Sequence, residues 1–139
     1  MARRSEQRRA AAFAVYQKDL NKRELDDVLG RDASAFTRTL AHAADDYGEE
    51  LDAVIGRHAK GWAIERIAPL ERAIMRIALL EMLHPDVAPG DQPIPPEGAI
   101  DEAVESAKRF CGAEAPGFVN GILNAVLREM RETSPAKHG

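Results

Sequence analysis

The sequence predicts an all-α fold of about seven helices of unequal length. Three observations carry this. Apolar residues recur at three- and four-residue spacing through most of the chain. Period-two runs and hairpin dipeptides are missing, and β-branched residues rarely cluster. Proline, glycine and short polar residues fall where such helices would start and stop. At 139 residues the chain makes one domain, or two small subdomains sharing a core.

The elements follow in order. Residues 5–20 read as a first helix, with Ala12, Phe13, Tyr16 and Leu20 expected on its inner face. Arg4, Arg8 and Arg9 lead into that face, Arg4 and Arg8 one turn apart. Residues 21–30 read as a polar connection with one helical turn near Leu25 to Leu29, and Asp32 or Ser34 can cap the next helix. Phe36, Leu40, Ala43, Ala44, Tyr47, Leu51, Val54 and Ile55 track one stripe, so a single long helix is expected there. Gly48 would weaken it and mark a contact with a crossing helix. Residues 61–67 suggest a short helix that turns Trp62, Ile64 and Ile67 inward.

Pro69 suits a first helical turn. Leu70, Ala73, Ile74, Ile77, Leu80 and Leu83 then repeat until Pro85 stops the run. This most apolar helix is expected at the centre. Arg72 reads as a solvent-facing charge and Arg76 as a surface ion pair. Residues 85–96 hold Pro85, Pro89, Pro93 and Pro95 and read as a stiff, non-helical loop. Residues 96–110 form another helix, with Ala99, Ile100, Ala103, Val104 and Ala107 inward and Lys108 and Arg109 in the last turn. A final helix runs from Phe118 to about Glu132, and residues 133–139 read as a disordered tail. Gly121 and Asn120 predict a close-packed turn near its start, since an interior glycine costs about 1 kcal/mol unless another backbone needs the room.

Composition narrows the function. Apolar residues make up 45% and charged residues 30%, which suits a soluble globular protein. No apolar run approaches the ~18 residues needed to span a bilayer. No apolar stretch follows the opening arginines, so a secretory signal is not expected. The single Cys111 excludes an intramolecular disulfide and a multi-cysteine metal site, and a reducing cytoplasmic setting is the simplest reading. The net charge of −4 is uneven. Residues 1–23 carry seven basic and two acidic side chains, whereas residues 24–56 carry nine acidic and two basic ones. That split suits a polyanion-facing end beside a repelling side, or a merely solubilised terminus. The cluster Asp45, Asp46, Glu49, Glu50 and Asp52 reads as a solvated helix face.

Reactive constellations are sparse. The sequence has neither a phosphate-cradling glycine loop nor zinc-ligand spacing, and nothing in it gathers His42, His58, His84 and His138. Cys111 reads as a small apolar residue and the serines lack an elbow context. Catalytic residues, metal ligands and cofactors are therefore expected to be none.

Four segments, in order, resemble the family of the bacterial transcription antitermination factor NusB. They are the arginine-rich opening Arg3-Arg4 through Arg8, Arg9, Ala11, Ala14 and Tyr16; the run from Leu70-Glu71-Arg72 to Leu80-Glu81; the run from Ala99-Ile100 to Arg109-Phe110; and Phe118-Val119-Asn120-Gly121-Ile122-Leu123-Asn124. The resemblance implies two packed helical bundles, about 1–68 and 69–132, within a single domain of residues 1–132. It implies an RNA-binding adaptor that binds boxA-type single strands with ribosomal protein NusE. Such a complex serves the RNA polymerase antitermination assembly and ribosomal RNA maturation.

On that reading Arg3, Arg4, Arg8 and Arg9 meet phosphates, and Phe118 stacks on a base or serves the core. Lys108, Asn120 and Asn124 join the RNA face, and Tyr16, Glu71 and Arg76 meet NusE. The chain departs from the family's pattern at Glu97, Asp101 and Asn124, two changes adding negative charge and one removing it. Reliance on the partner protein is expected to be greater for that reason. Related helical domains open ribosomal RNA methyltransferases, but this length leaves no room for a catalytic domain. A helical interaction adaptor or homodimer without direct RNA binding is the competing expectation.

Overall fold

The computed structural model describes residues 3–59, 61, 66–87 and 93–133. Seven α-helices and no strand occur among them: α1 (Arg4–Asn21), α2 (Leu25–Leu29), α3 (Ala35–Asp46), α4 (Gly48–His58), α5 (Pro69–Leu83), α6 (Pro96–Phe110) and α7 (Ala115–Thr133). A short 3-10 turn, Pro85–Val87, follows α5.

α5 is the hub. Every residue from Ala73 to Met82 is buried, and the helix packs on α1, α3, α4, α6 and α7. A helix apolar on all sides has to be enclosed, and the others are arranged to do that. α1 runs antiparallel to it, with Arg8 pairing to Glu81 and Asp19 to Arg76. α6 runs alongside α1 in the same direction, since Ser5 reaches Glu102 and Phe13 reaches Phe110. α7 returns antiparallel to α6, its Arg131 paired with Glu97. Ser34 caps α3 by accepting a hydrogen bond from the Thr37 amide at 3.0 Å, and the Thr37 hydroxyl donates to the Gln7 carbonyl at 3.1 Å, fixing α3 to α1.

Several expectations are corrected. The long helix is two: the chain breaks at Tyr47, and Gly48 begins α4. Gly48 is no crossing point, because a Cβ there would meet nothing within 4 Å. The break keeps the apolar stripe in phase, so spacing alone does not reveal it.

On α1 the buried residues are Ala11, Ala12, Ala14 and Val15, while Leu20 is 53% exposed. Small side chains face α5 here because the two helices pack closely. α7 starts at Ala115, before Phe118, so Gly121 lies inside a helix rather than at a turn. Its face is exposed and a Cβ would meet nothing within 4 Å, so no backbone approaches it within the chain. The 85–96 segment is not wholly non-helical, given the 3-10 turn.

The inward calls for Trp62 and Ile64 lie outside the described residues, as do Pro89, Gly90 and the tail from 134. Ile67 is buried as expected.

Charged residues also move inward. Arg76 is buried rather than superficial, because Asp19 and Asp52 neutralise it from α1 and α4. The Arg72 side chain is 19% exposed and stands 3.8 Å from Asp19, so it does not face open solvent. The acidic cluster is only partly a solvated face: Asp45 holds Lys18, Asp52 holds Arg76, and Glu50 holds His84.

Candidate nucleic-acid interface

The leading arginines divide by what they touch. Arg3 is the exposed N-cap of α1. Arg4 lays its guanidinium 4.1 Å from the Phe36 ring centroid and bonds Gln7. Arg8 turns inward, donating from Nε and Nη2 to the Glu81 carboxylate at 2.7 and 3.0 Å, with Glu102 at 3.9 Å. Such a forked, charge-assisted pair is geometrically specific. It spends the Arg8 charge on holding α1 to α5. Arg9 follows one turn before Phe13 and has no ion-pair partner among the described residues.

The second group gathers near the C-terminal end of α6. Lys108 is exposed there, again without an ion-pair partner among the described residues, and Arg109 pairs with Glu105 at 3.2 Å. On α7, Phe118 packs partly against the core. Asn120 is exposed, and the Asn124 amide donates to the Asn120 carbonyl and side-chain oxygen at 3.0 and 2.8 Å. The two asparagines therefore act as one polar step on α7. α6 connects the two groups, since it meets α1 through Glu102 and Phe110 and α7 along its length. Ser5 stands level with Glu102 and Phe13 with Phe110, about 12 Å apart along α6 at the helical rise of about 1.5 Å per residue.

Of the remaining three candidates, Glu71 adjoins Phe118 across a groove, and Tyr16 and Arg76 stand apart from it. Tyr16 is partly buried on the core. Glu71 opens onto a groove of about 790 Å³ between α5 and the start of α7, lined also by Ile67, Gly112, Glu114 and Phe118. Burial pushes the Glu71 carboxyl above its ordinary value, and burial, followed by the Glu71 charge, pushes up the Cys111 thiol. Arg76 donates to both Asp52 oxygens at 2.8 and 2.6 Å and to Asp19 at 2.7 Å. Its burial pulls the guanidinium pKa down, but Asp52 and Asp19 outweigh that and the net shift is upward. Arg76, with a side chain 10% exposed, thus acts first within the protein.

Sequence reasoning missed two features. Glu81 is the internal counter-ion of Arg8, and Phe13 with Phe110 forms an aromatic pair at the α1–α6 edge. Only the second left a trace, in the position of Phe110 beside Lys108 and Arg109.

Fold and surface together define a class: an all-helical scaffold whose distinctive chemistry is charged and aromatic side chains along a helix groove. Comparison with known proteins makes this specific. The NusB family profile matches residues 5–128. Curated relatives named transcription antitermination protein NusB include one from Symbiobacterium thermophilum, 39% identical over 110 residues, covering 79% of this chain and 68% of the relative. Another, from Rubrobacter xylanophilus, is 37% identical over 129 residues and 88% of each chain. The solved structure of T. maritima NusB superposes with a TM-score of 0.80 at 28% identity, over 92% of both chains. A structure of antitermination factors NusB and NusE in complex with double-stranded RNA shares the fold, with a TM-score of 0.74 at 24% identity over 91% of this chain and 96% of that one. The chain belongs to the NusB family, as its four motif segments implied.

Proposed function

We propose that this chain is an RNA-binding transcription antitermination factor. It binds a boxA-type single strand together with ribosomal protein NusE, and so supports transcription and maturation of ribosomal RNA. Family membership across residues 5–128 carries this reading. The chain also shares its fold with a structure of NusB and NusE in complex with double-stranded RNA. The protein works by binding, in the cytoplasm, without a catalytic step or cofactor. No helix among the described residues is long and apolar enough to cross a membrane.

The roles divide as follows. Arg3, Arg4, Arg9 and Lys108 contact phosphates, and Phe118, Asn120 and Asn124 meet bases. Arg8 fixes the helix that carries the other arginines. NusE docks where Glu71 opens onto its groove and against Tyr16, with Arg76 holding the surrounding helices in place. The domain spans residues 1–132 as two helical halves, about 1–68 and 69–132, joined through α5.

Fluorescence-anisotropy titration of labelled boxA-type RNA, at two salt concentrations, tests the proposal. The chain plus NusE should bind more tightly than either alone, and binding should weaken with salt. Absence of RNA binding in every combination would leave only a protein-interaction adaptor.

A further inference from the structure

The groove between α1 and α6 carries an aromatic pair that the fold does not need to expose. Phe110, the last residue of α6, is 46% exposed. Its ring centroid lies 5.0 Å from that of Phe13, at an interplanar angle of 81°. An edge-to-face pair occupies one face of one ring only, so aromatic surface stays available to a third ring. Leaving a phenylalanine half in water at a helix end brings no folding advantage, and Leu20 and Tyr47 are the other large apolar side chains comparably exposed among the described residues. Unlike Leu20, Phe110 is aromatic, and unlike Tyr47, which stacks on His84 at a centroid distance of 4.0 Å, it has cations close to its pair in sequence. Arg9 lies one turn before Phe13, and Lys108 and Arg109 immediately precede Phe110. Arg9 and Lys108 have no ion-pair partner among the described residues.

We propose that Phe110, braced edge-on by Phe13, is a stacking platform for one nucleobase of a bound single-stranded RNA, with Arg9 and Lys108 holding the flanking phosphates. The proposal rests on the RNA-binding reading above and adds a subsite to it. Flat aromatic surface with flanking cations is the combination single strands require: the ring takes any base by its face, and the cations follow the backbone. An apolar protein partner would favour a larger patch free of charge. Phe13 fixes the ring's orientation, so little side-chain freedom is lost when a base arrives.

The test uses the full chain with NusE and a boxA-type RNA carrying 2-aminopurine at successive positions. Phe110→Leu keeps the apolar contact with Phe13 and removes the π-face, and circular dichroism verifies its fold. Relative to the unsubstituted chain it should bind roughly ten-fold more weakly, the usual order for one lost base–aromatic stack. The salt slope should not change, because no charge is removed. Quenching of 2-aminopurine at one position should disappear. Phe110→Trp should bind at least as tightly as the unsubstituted chain.

If the unsubstituted chain binds RNA and Phe110→Leu matches it in affinity and quenching, the platform is refuted and the RNA-binding reading stands. If Phe110→Leu abolishes NusE capture while RNA binding by the chain alone is unaltered, the patch docks protein and the proposal is overturned. Failure of the unsubstituted chain to bind RNA in any combination removes both.

Discussion

At the scale of single residues, the informative ones are those whose charge faces inward. Arg76 stands in a cage of two carboxylates, from α1 and α4, on the largely apolar helix α5. The sequence displays the arginine but not its partners, which lie 24 and 57 positions away. Local spacing therefore assigned it to the surface, and only the packing of α1 and α4 on α5 brings its counter-ions to it. Removing one member of a buried pair leaves the others desolvated and uncompensated. Arg76→Ala should lower unfolding stability by about 2–3 kcal/mol, at or just below the roughly 3–5 kcal/mol of fully buried pairs because both aspartates retain some solvent contact. Urea denaturation gives the number. Arg76→Lys should fall between, since it keeps the charge and loses the fork that grips Asp52. A loss below about 0.5 kcal/mol would place these charges with ordinary exposed pairs.

At the scale of elements, legibility followed the punctuation. α5 and α6 begin at prolines, and both starts, Pro69 and Pro96, were readable because proline fits a first turn and ends what precedes it. The break between α3 and α4 was hidden, because Tyr47 and the residues beyond it keep the same apolar phase. α7 begins at Ala115, three residues before the expected Phe118, because Pro116 fits a first helical turn and Gly117 follows it within the helix. That start puts Gly121 inside the helix. Inside an exposed helix face, with nothing within 4 Å of an added Cβ and no positive φ, it carries only the entropic penalty of glycine. Gly121→Ala should therefore stabilise the free protein by about 0.5–1 kcal/mol. Thermal unfolding should show a rise of a few degrees, and a fall would contradict the open geometry described for this face. The Phe13–Phe110 contact belongs to this scale too. It joins residues 97 positions apart, and only the parallel course of α1 and α6 creates it.

At the scale of the whole molecule, the proposed function requires a chain of net charge −4 to present a surface that a polyanion can approach. Its acidic side chains are concentrated in residues 24–56, where several are neutralised internally, while Arg9 on α1 and Lys108 near the end of α6 have no ion-pair partner among the described residues. Net charge then matters less than which cations remain available. For single strands each phosphate neutralised contributes about 0.7 to the slope of log affinity against log salt. Substituting Arg4 and Arg9 together by alanine should flatten that slope by about 1.4, with a small stability loss from the Arg4–Phe36 contact. Arg8→Ala makes the contrast, although it lies between them in sequence. Its charge is already matched by Glu81, so its loss should leave the slope in place and instead lower stability by about 2–3 kcal/mol through the unpaired carboxylate. Anisotropy titrations at four salt concentrations, run beside urea denaturation, separate the two effects. Equal flattening by Arg8→Ala, with stability intact, would mean that Arg8 leaves Glu81 to meet the RNA, and that the seam between α1 and α5 is part of the binding surface rather than its support.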